Sequence, residues 1–207
     1  MNDVGSIRLK DNLDPNFDRL ARLAISMGAG NAGIIASHEI SVEDSLAKLC
    51  NEPPCENYGL SASCPPYVSG PSGFRNLQKA LEYALVVRII IPSAVFFSDE
   101  RKEVWRLLHE IVAGVETTAV GLGYPDSKAF AASSCKKVFC HGHSECRRLY
   151  GNGECRYPQY ARPSMSGFGI NVPKLMQSCG WSGDLGTPET GSDSESMTWV
   201  AGLVMIG

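Results

Sequence analysis

Apolar residues in the first part of the chain follow a helical spacing, then a continuous run, then a helical spacing again. The first helical pattern opens with Asp14, which suits an N-cap and is followed by proline, and it stops at Gly28. The apolar run at residues 32–40 predicts a strand. Ser41 then predicts the N-cap of a short helix over residues 42–50. This part of the chain is therefore predicted to form a helix, a strand and a second helix.

The middle of the chain predicts a further helix, strand and helix. Apolar residues at helical spacing over residues 74–84 predict the first of these helices. The β-branched run 85–91 ends at Pro92 and predicts a strand in the centre of the sheet. The acidic first turn at residues 98–100 opens the longest helical pattern, which ends at Gly121.

The last third of the chain has weaker periodicity. Residues 128–133 predict a short third strand, and the roughly 30 residues after it are rich in turn formers. We predict a short helix over 172–178, a surface loop over 182–196 and a closing strand over 199–206. Strands separated by helices predict an α/β fold, a single-domain sandwich of a small mixed sheet with helices over residues 1–207.

Composition narrows the class of protein. The chain has 207 residues, of which 43% are hydrophobic and 20% charged, as in an ordinary globular protein. A net charge of -3 argues against a general binder of nucleic acid or membrane surfaces. No apolar run approaches the roughly 20 residues that span a bilayer, and the first 17 residues lack the apolar centre of a signal peptide. We therefore expect a cytoplasmic location without a membrane partner.

The candidate chemistry lies in eight cysteines, seven of which form two groups. The predicted ligands are Cys50, Cys55 and Cys64 within residues 50–66, and Cys135, Cys140, Cys146 and Cys155 within residues 135–158. The first segment is too rich in Pro, Gly, Asn and Ser for these thiols to pack in an ordinary core. Without an export signal, clustered cysteines more often hold metal than form disulfides. Disulfides, a thiol relay and unrelated buried thiols remain alternatives.

Spacing within the second group favours iron and sulfur. Its cysteines are separated by four, five and eight residues. Four thiolates suit both a [4Fe-4S] cluster and structural zinc, but zinc sites usually pair two tight knuckles far apart in sequence. Ligands spread along one segment are more typical of a cluster wrapped by the chain, with zinc as the alternative.

Basic residues surround the second group. Residues 135–162 contain six basic and two acidic residues, a local charge of +4. This charge would stabilise an anionic cluster and attract a redox partner protein or a small anionic substrate, although a solvated basic face is the plainer explanation. With four thiolates present, His141 and His143 are predicted to be loop residues rather than ligands. His38 and His109 are predicted to be core or surface histidines.

Together these motifs resemble a family of short prokaryotic proteins described as predicted metal-binding proteins with a domain of unknown function. The resemblance covers most of the chain from about Ile34 onward. It rests on Cys50, Cys55, Tyr58-Gly59, Cys64-Pro65-Pro66, Cys135, Cys140, Cys146, Cys155-Arg156-Tyr157-Pro158, Arg162-Pro163-Ser164-Met165 and Gly169-Ile170-Asn171-Val172. Family members typically have a tighter start to the second group, and an acidic residue where this chain has Ser166. The resemblance implies two iron-sulfur sites and supplies no established reaction.

The sequence thus predicts a protein with two [4Fe-4S] clusters, acting in electron transfer or in redox or Lewis-acid chemistry on a small substrate. The first group offers three thiolates, so one iron would be left for an external ligand, a substrate or Cys179. Cys179 is otherwise predicted to be a buried thiol. The alternative is a zinc-stabilised interaction module without a redox role. The sequence shows no Gly-rich phosphate loop and no Ser/His/Asp set at recognisable spacing, so whether the protein is an enzyme stays open.

Overall fold

The computed structural model of the protein describes residues 6–8, 14–151, 153–183 and 196–207. Within these residues, five strands form one sheet: β1 Ser6–Arg8, β2 Asn31–Ala36, β3 Tyr83–Pro92, β4 Lys128–Phe130 and β5 Met197–Ile206. The strand order is β1-β2-β3-β5-β4. β1 pairs parallel with β2, and the other pairs are antiparallel. The predicted mixed sheet is confirmed.

Helices connect the strands. They are α1 Pro15–Ser26, α2 Asp44–Lys48, α3 Gly70–Ala80, α4 Ser93–Phe97, α5 Arg101–Gly121, α6 Cys135–Phe139, α7 Arg147–Tyr150 and α8 Val172–Ser178. Two short 3-10 helices lie at Ser37–Glu39 and Met165–Phe168. No helix in the described ranges is both long enough and apolar enough to cross a membrane.

The side chains of β3 divide the core into two parts. Leu85 packs in one buried cluster with Leu20 of α1 and Leu108 of α5. The next residue, Val86, packs in a second cluster with Phe74 of α3. Because successive side chains of a strand point to opposite faces, helices cover both faces of the sheet. This arrangement confirms the predicted α/β class.

Several predicted elements are confirmed at their boundaries. Asp14 accepts a hydrogen bond from the backbone N–H of Asn16 at 2.9 Å and caps α1, whose first residue is Pro15. β3 pairs with both β2 and β5, so it is the central strand predicted from its β-branched run. Residues 172–178 form α8 as predicted.

The prediction for residues 32–42 was partly wrong. β2 ends at Ala36, because Glu39 accepts a hydrogen bond from the Ala36 backbone N–H at 2.8 Å and the chain turns into a 3-10 helix. Ser41 does not cap α2. Its hydroxyl donates instead to Glu43, the residue at the N-cap position, at 3.3 Å.

Other corrections concern the ends of elements. The helix predicted over 74–84 lies at Gly70–Ala80, because β3 already begins at Tyr83. The strand predicted over 128–133 ends at Phe130, where the chain leaves β5 and Ala131 donates a hydrogen bond to the Pro163 carbonyl at 2.9 Å. Sequence analysis did not predict β1 or α4, and it described as turns the segment that contains α6 and α7. Most of the loop predicted over 182–196 lies outside the described residues.

Candidate metal centres

The first three cysteines lie in the turn-rich segment that follows α2. The backbone N–H of Cys50 donates to Ala47 at the helix end, and that of Cys55 donates to the Cys50 carbonyl at 3.0 Å. Further along, the Gly59 N–H donates to the Pro65 carbonyl at 2.9 Å and folds the segment back on itself. These turns bring the three thiols to one cavity of about 460 Å³.

The thiols of this first set range from buried to exposed. Cys64 is 6% exposed, Cys50 is partly buried and Cys55 is exposed. Burial raises the pKa of Cys50 above its ordinary value, and the proximity of Cys55 and Cys64 raises it further. Neighbouring thiolates repel one another, so a cation held between them would favour the charged forms.

The second set is carried by short helical turns rather than by the loop that the sequence predicts. Cys135 begins α6 and Cys140 follows its last residue, while Cys146 precedes α7. Cys155 accepts a hydrogen bond at its sulfur from the Tyr157 backbone N–H, with 3.4 Å between sulfur and nitrogen. All four cysteines line one small cavity of about 20 Å³.

Burial controls the acidity of two thiols of this second set, Cys135 and Cys140. It raises the pKa of Cys135 to about 11 and also raises that of Cys140, which the nearby Cys155 raises further. Both thiols are therefore protonated at neutral pH in the absence of metal. Since the thiolate is the ligand, metal binding must release protons.

Three cations line the second cavity: Lys136, Arg147 and Arg156. Two of them also hold the loop between α6 and Cys155. The Lys136 ammonium donates to the His143 carbonyl at 2.5 Å, and Arg156 donates to the Glu145 carbonyl at 3.0 Å. Bonds to carbonyl oxygens leave their positive charge uncompensated.

Not all of the predicted basic surplus is available to the second cavity. Lys137 is ion-paired with Glu56, and Arg162 with Glu116, and both carboxylates lie outside residues 135–162. The surplus that the sequence predicts is therefore partly neutralised by the rest of the fold.

The two cysteine sets are adjacent. The Cys64 thiol donates a hydrogen bond to the hydroxyl of Ser134, which directly precedes Cys135. From the first segment, Ser61 reaches across to line the second cavity, where its buried hydroxyl offsets part of the rise in the pKa of the Cys135 thiol. The segments that the sequence presents as two separate motifs form one connected region.

A buried polar network packs against α6, the helix that begins at Cys135 of the second set. The Arg162 guanidinium donates to Glu116 of α5 at 2.6 Å, and the Arg162 backbone N–H donates to His109 Nδ1 at 3.2 Å. The His109 ring meets Phe139 of α6 edge-on, with 5.4 Å between ring centroids. Sequence analysis placed His109 on a helix without a role and used Arg162 only as part of a motif. The sequence alone does not show that Arg162 pairs with Glu116, which lies 46 residues away.

The remaining candidate residues lie elsewhere. Neither His141 nor His143 lines either of the two cavities, in agreement with their prediction as loop residues. Cys179 is 3% exposed and packs in the core with Trp181, which confirms its predicted burial. It lines neither cavity and lies next to Gly33 of β2, so its position does not favour the alternative role as a ligand of the first site.

Among the described residues, no three His, Cys, Asp or Glu side chains are arranged to hold one metal ion together. What the thiols of each set share is a common cavity. The ligand assignments therefore stay predictions.

The comparisons with known proteins agree with the cysteine motifs. The model of the family described as "Predicted metal-binding protein (DUF2284)" matches residues 33–206, a range that contains all eight cysteines. No curated protein and no solved structure matches the chain.

Proposed function

The chain belongs to this family of predicted metal-binding proteins, which confirms the resemblance seen in its motifs, and from that premise we propose that it is an iron-sulfur protein with two [4Fe-4S] clusters. Cys50, Cys55 and Cys64 would hold one cluster, and Cys135, Cys140, Cys146 and Cys155 the other. The observation that carries the proposal is the division of seven thiols between two adjacent cavities. A four-iron cluster is wider than a single ion, so its ligands lie farther apart than those of one zinc ion.

The donor set around the second cavity suits such a cluster, and its thiols would have to move apart to hold one, because the cavity of about 20 Å³ has room for about one water molecule. Four thiolates complete its usual ligand set, and a cluster bound in this way carries net negative charge. Lys136, Arg147 and Arg156 supply compensating positive charge. The buried hydroxyl of Ser61, next to Cys135, would supply a donor for a hydrogen bond to sulfur.

The first cavity fits a cluster with one iron left open. Three thiols line this cavity, and Cys179 is packed elsewhere in the core. When bound, the clusters would supply one-electron transfer, and an open iron would also supply a Lewis acid. We therefore assign any chemistry on a substrate to the first site and electron supply to the second.

The chain itself would carry out three tasks. Ser134 would donate a hydrogen bond to Cys64 once that sulfur is a thiolate, which connects the two sites. The burial of Cys64 and Cys135 would keep water from the ligands. The exposed guanidinium groups of Arg147 and Arg148 would attract an acidic redox partner protein to the second site.

Metal analysis after anaerobic purification tests the proposal. The protein should be brown and contain about eight irons and eight sulfides per chain. Colourless protein with stoichiometric zinc would overturn the proposal in favour of a zinc-stabilised interaction module.

Electron paramagnetic resonance of the reduced protein tests the open iron. Adding cyanide or a small thiol should shift the signal of one cluster, and Cys179→Ala should retain all the iron. A signal that no added ligand changes, together with loss of one cluster in Cys179→Ala, would show that the first site is closed.

A further inference from the structure

The first cavity is far larger than its thiols require. The four thiols of the second set line only about 20 Å³, whereas the first cavity measures about 460 Å³. That volume lies within the range of sites for small molecules, roughly 300–1,000 Å³. A cluster on Cys50, Cys55 and Cys64 would fill one side of the cavity and leave the remainder for a second occupant.

The fold itself creates this space beside β5. β4 pairs with β5 only at residues 203–205, and the cavity lies farther along β5, at residues 199–201. Instead of extending β4, the chain turns away through Ser133, whose φ of 65° is in the left-handed region. This conformation is strained for a non-glycine residue and is typical of functional sites.

The part of the wall formed by described residues is mainly apolar and, apart from the thiols, carries no ionisable acid or base. Side chains from four different elements supply the apolar surface: Phe96, Trp105, Val172 and Trp199. Four serine residues at positions 133, 134, 164 and 166 supply neutral hydrogen-bonding groups. Among the residues that the structure describes, no Asp, Glu, Lys, Arg or His lines the cavity.

Two cations lie beside Trp105 but are not among the residues that line the cavity. Arg101 and Lys137 lie over the Trp105 ring, at 5.4 and 5.8 Å from its centroid. Glu56 is ion-paired with Lys137, which lowers the pKa of Glu56, and the charge of Arg101 lowers it further. Glu56 therefore balances one of the two positive charges beside Trp105, and the other stays outside the residues that line the cavity.

We propose that this cavity binds a neutral, largely apolar molecule about the size of one or two rings, with a hydroxyl or carbonyl oxygen that the serines can recognise. Uncharged walls disfavour an anion, because a buried charge without a partner costs several kcal/mol. Trp105 and Trp199 offer aromatic surface for contacts with a ring. The inference names the substrate class of the first site and rests on the proposed function only for the identity of the group on the thiols.

Calorimetric titration of the full-length, anaerobically purified protein with 2-naphthol tests the proposal, and its anionic counterpart 2-naphthoate provides the comparison. We expect 2-naphthol to bind with one molecule per chain and 2-naphthoate to bind at least about tenfold more weakly. Iron and zinc are measured on the same samples.

Two variants locate the site. Ser166 is exposed and lines the cavity, so Ser166→Phe should narrow it and weaken 2-naphthol binding at least about tenfold. Ser72 is equally exposed but lies on α3 away from the cavity, so Ser72→Phe should bind like the parent protein. Val172→Phe repeats the test from α8 if Ser166→Phe fails to fold.

The outcomes separate this inference from the proposed function. An iron-loaded protein that does not bind 2-naphthol, or that binds 2-naphthoate equally well, overturns the inference and leaves the iron-sulfur proposal intact. Binding that survives in both Ser166→Phe and Val172→Phe also overturns it. A zinc protein that binds 2-naphthol with the expected preference would support the inference and overturn the iron-sulfur proposal.

Discussion

The Cys64 thiol donates a hydrogen bond to the Ser134 hydroxyl across 70 residues of sequence, with 3.3 Å between sulfur and oxygen. Ser134 lies between the two cavities, because it lines the first and directly precedes Cys135, which lines the second. A single hydroxyl group therefore contacts a predicted ligand of one site and adjoins a predicted ligand of the other.

Replacing Ser134 by Ala should lower the reduction potential of the first cluster. A hydrogen bond to a thiolate ligand stabilises the reduced, more negative cluster, so its loss should shift the potential by roughly tens of millivolts towards negative values. A redox titration followed by electron paramagnetic resonance measures the shift. Ser166→Ala, in the same cavity, serves as the control. Equal potentials in Ser134→Ala and the parent protein would contradict the prediction.

Replacing Cys140 by Ala should remove one cluster and leave the other. Iron content should fall from about eight to about four per chain, and thermal stability should fall because α7 has no buried residue of its own to hold this part of the chain in place. Cys179→Ala is the control, because Cys179 lines neither cavity and its loss should leave the iron content unchanged. Full iron and parental stability in Cys140→Ala would remove this residue from the ligand set.

The elements that the sequence predicts well are those with a local signal. The Asp14 cap and the β-branched run of β3 are examples, since short-range chemistry determines both. Boundaries set by distant contacts were missed. Glu39 ends β2 early, and the Ala131 contact with Pro163 ends β4 after three residues.

For the candidate sites, too, local features are predicted from the sequence and contacts between distant residues are not. Clustering in sequence identified the seven thiols and their two groups, which the structure brings to two cavities. Periodicity could not reveal that Ser61 crosses to the second cavity or that Ser134 contacts Cys64. Both contacts depend on how two loops pack against each other. A single serine in a turn-rich segment carries no periodic signal that would predict such a contact. The large apolar cavity is formed by residues from many elements, so no single motif encodes it.

Replacing Glu116 by Ala should destabilise the fold behind the second site. The Glu116 and Arg162 side chains are only 16% and 12% exposed, so the variant leaves a mostly buried guanidinium without its partner. We expect a loss of about 2–4 kcal/mol in the free energy of unfolding, measured by denaturant titration. Asp18→Ala breaks the exposed pair with Arg22 and should cost much less, because solvent screens an exposed pair. Equal losses in the two variants would show that the buried pair contributes no more than a surface one.

His109 should make the protein less stable in mild acid. Burial lowers the pKa of His109 from 6.5 to about 4, so the folded chain favours the neutral imidazole. An unfolded chain takes up this proton near pH 6.5, which means that the stabilisation is fully present above that pH and is lost as the pH falls from 6.5 towards 4. The full effect is about 3 kcal/mol, at 1.36 kcal/mol per pKa unit.

Unfolding free energies of His109→Asn and the parent protein, measured between pH 4.5 and 7 in the same metal state, test this prediction. In the parent protein, His109 Nδ1 accepts a hydrogen bond from the Arg162 backbone N–H. The side-chain oxygen of Asn can accept the same hydrogen bond. Relative to the parent protein, the variant should lose less stability as the pH falls, since it has no imidazole to protonate. His38→Asn is the control, because His38 is exposed and its replacement should leave the pH dependence of the parent protein unchanged. Parallel stability curves for His109→Asn and the parent protein would show that His109 does not control the acid response.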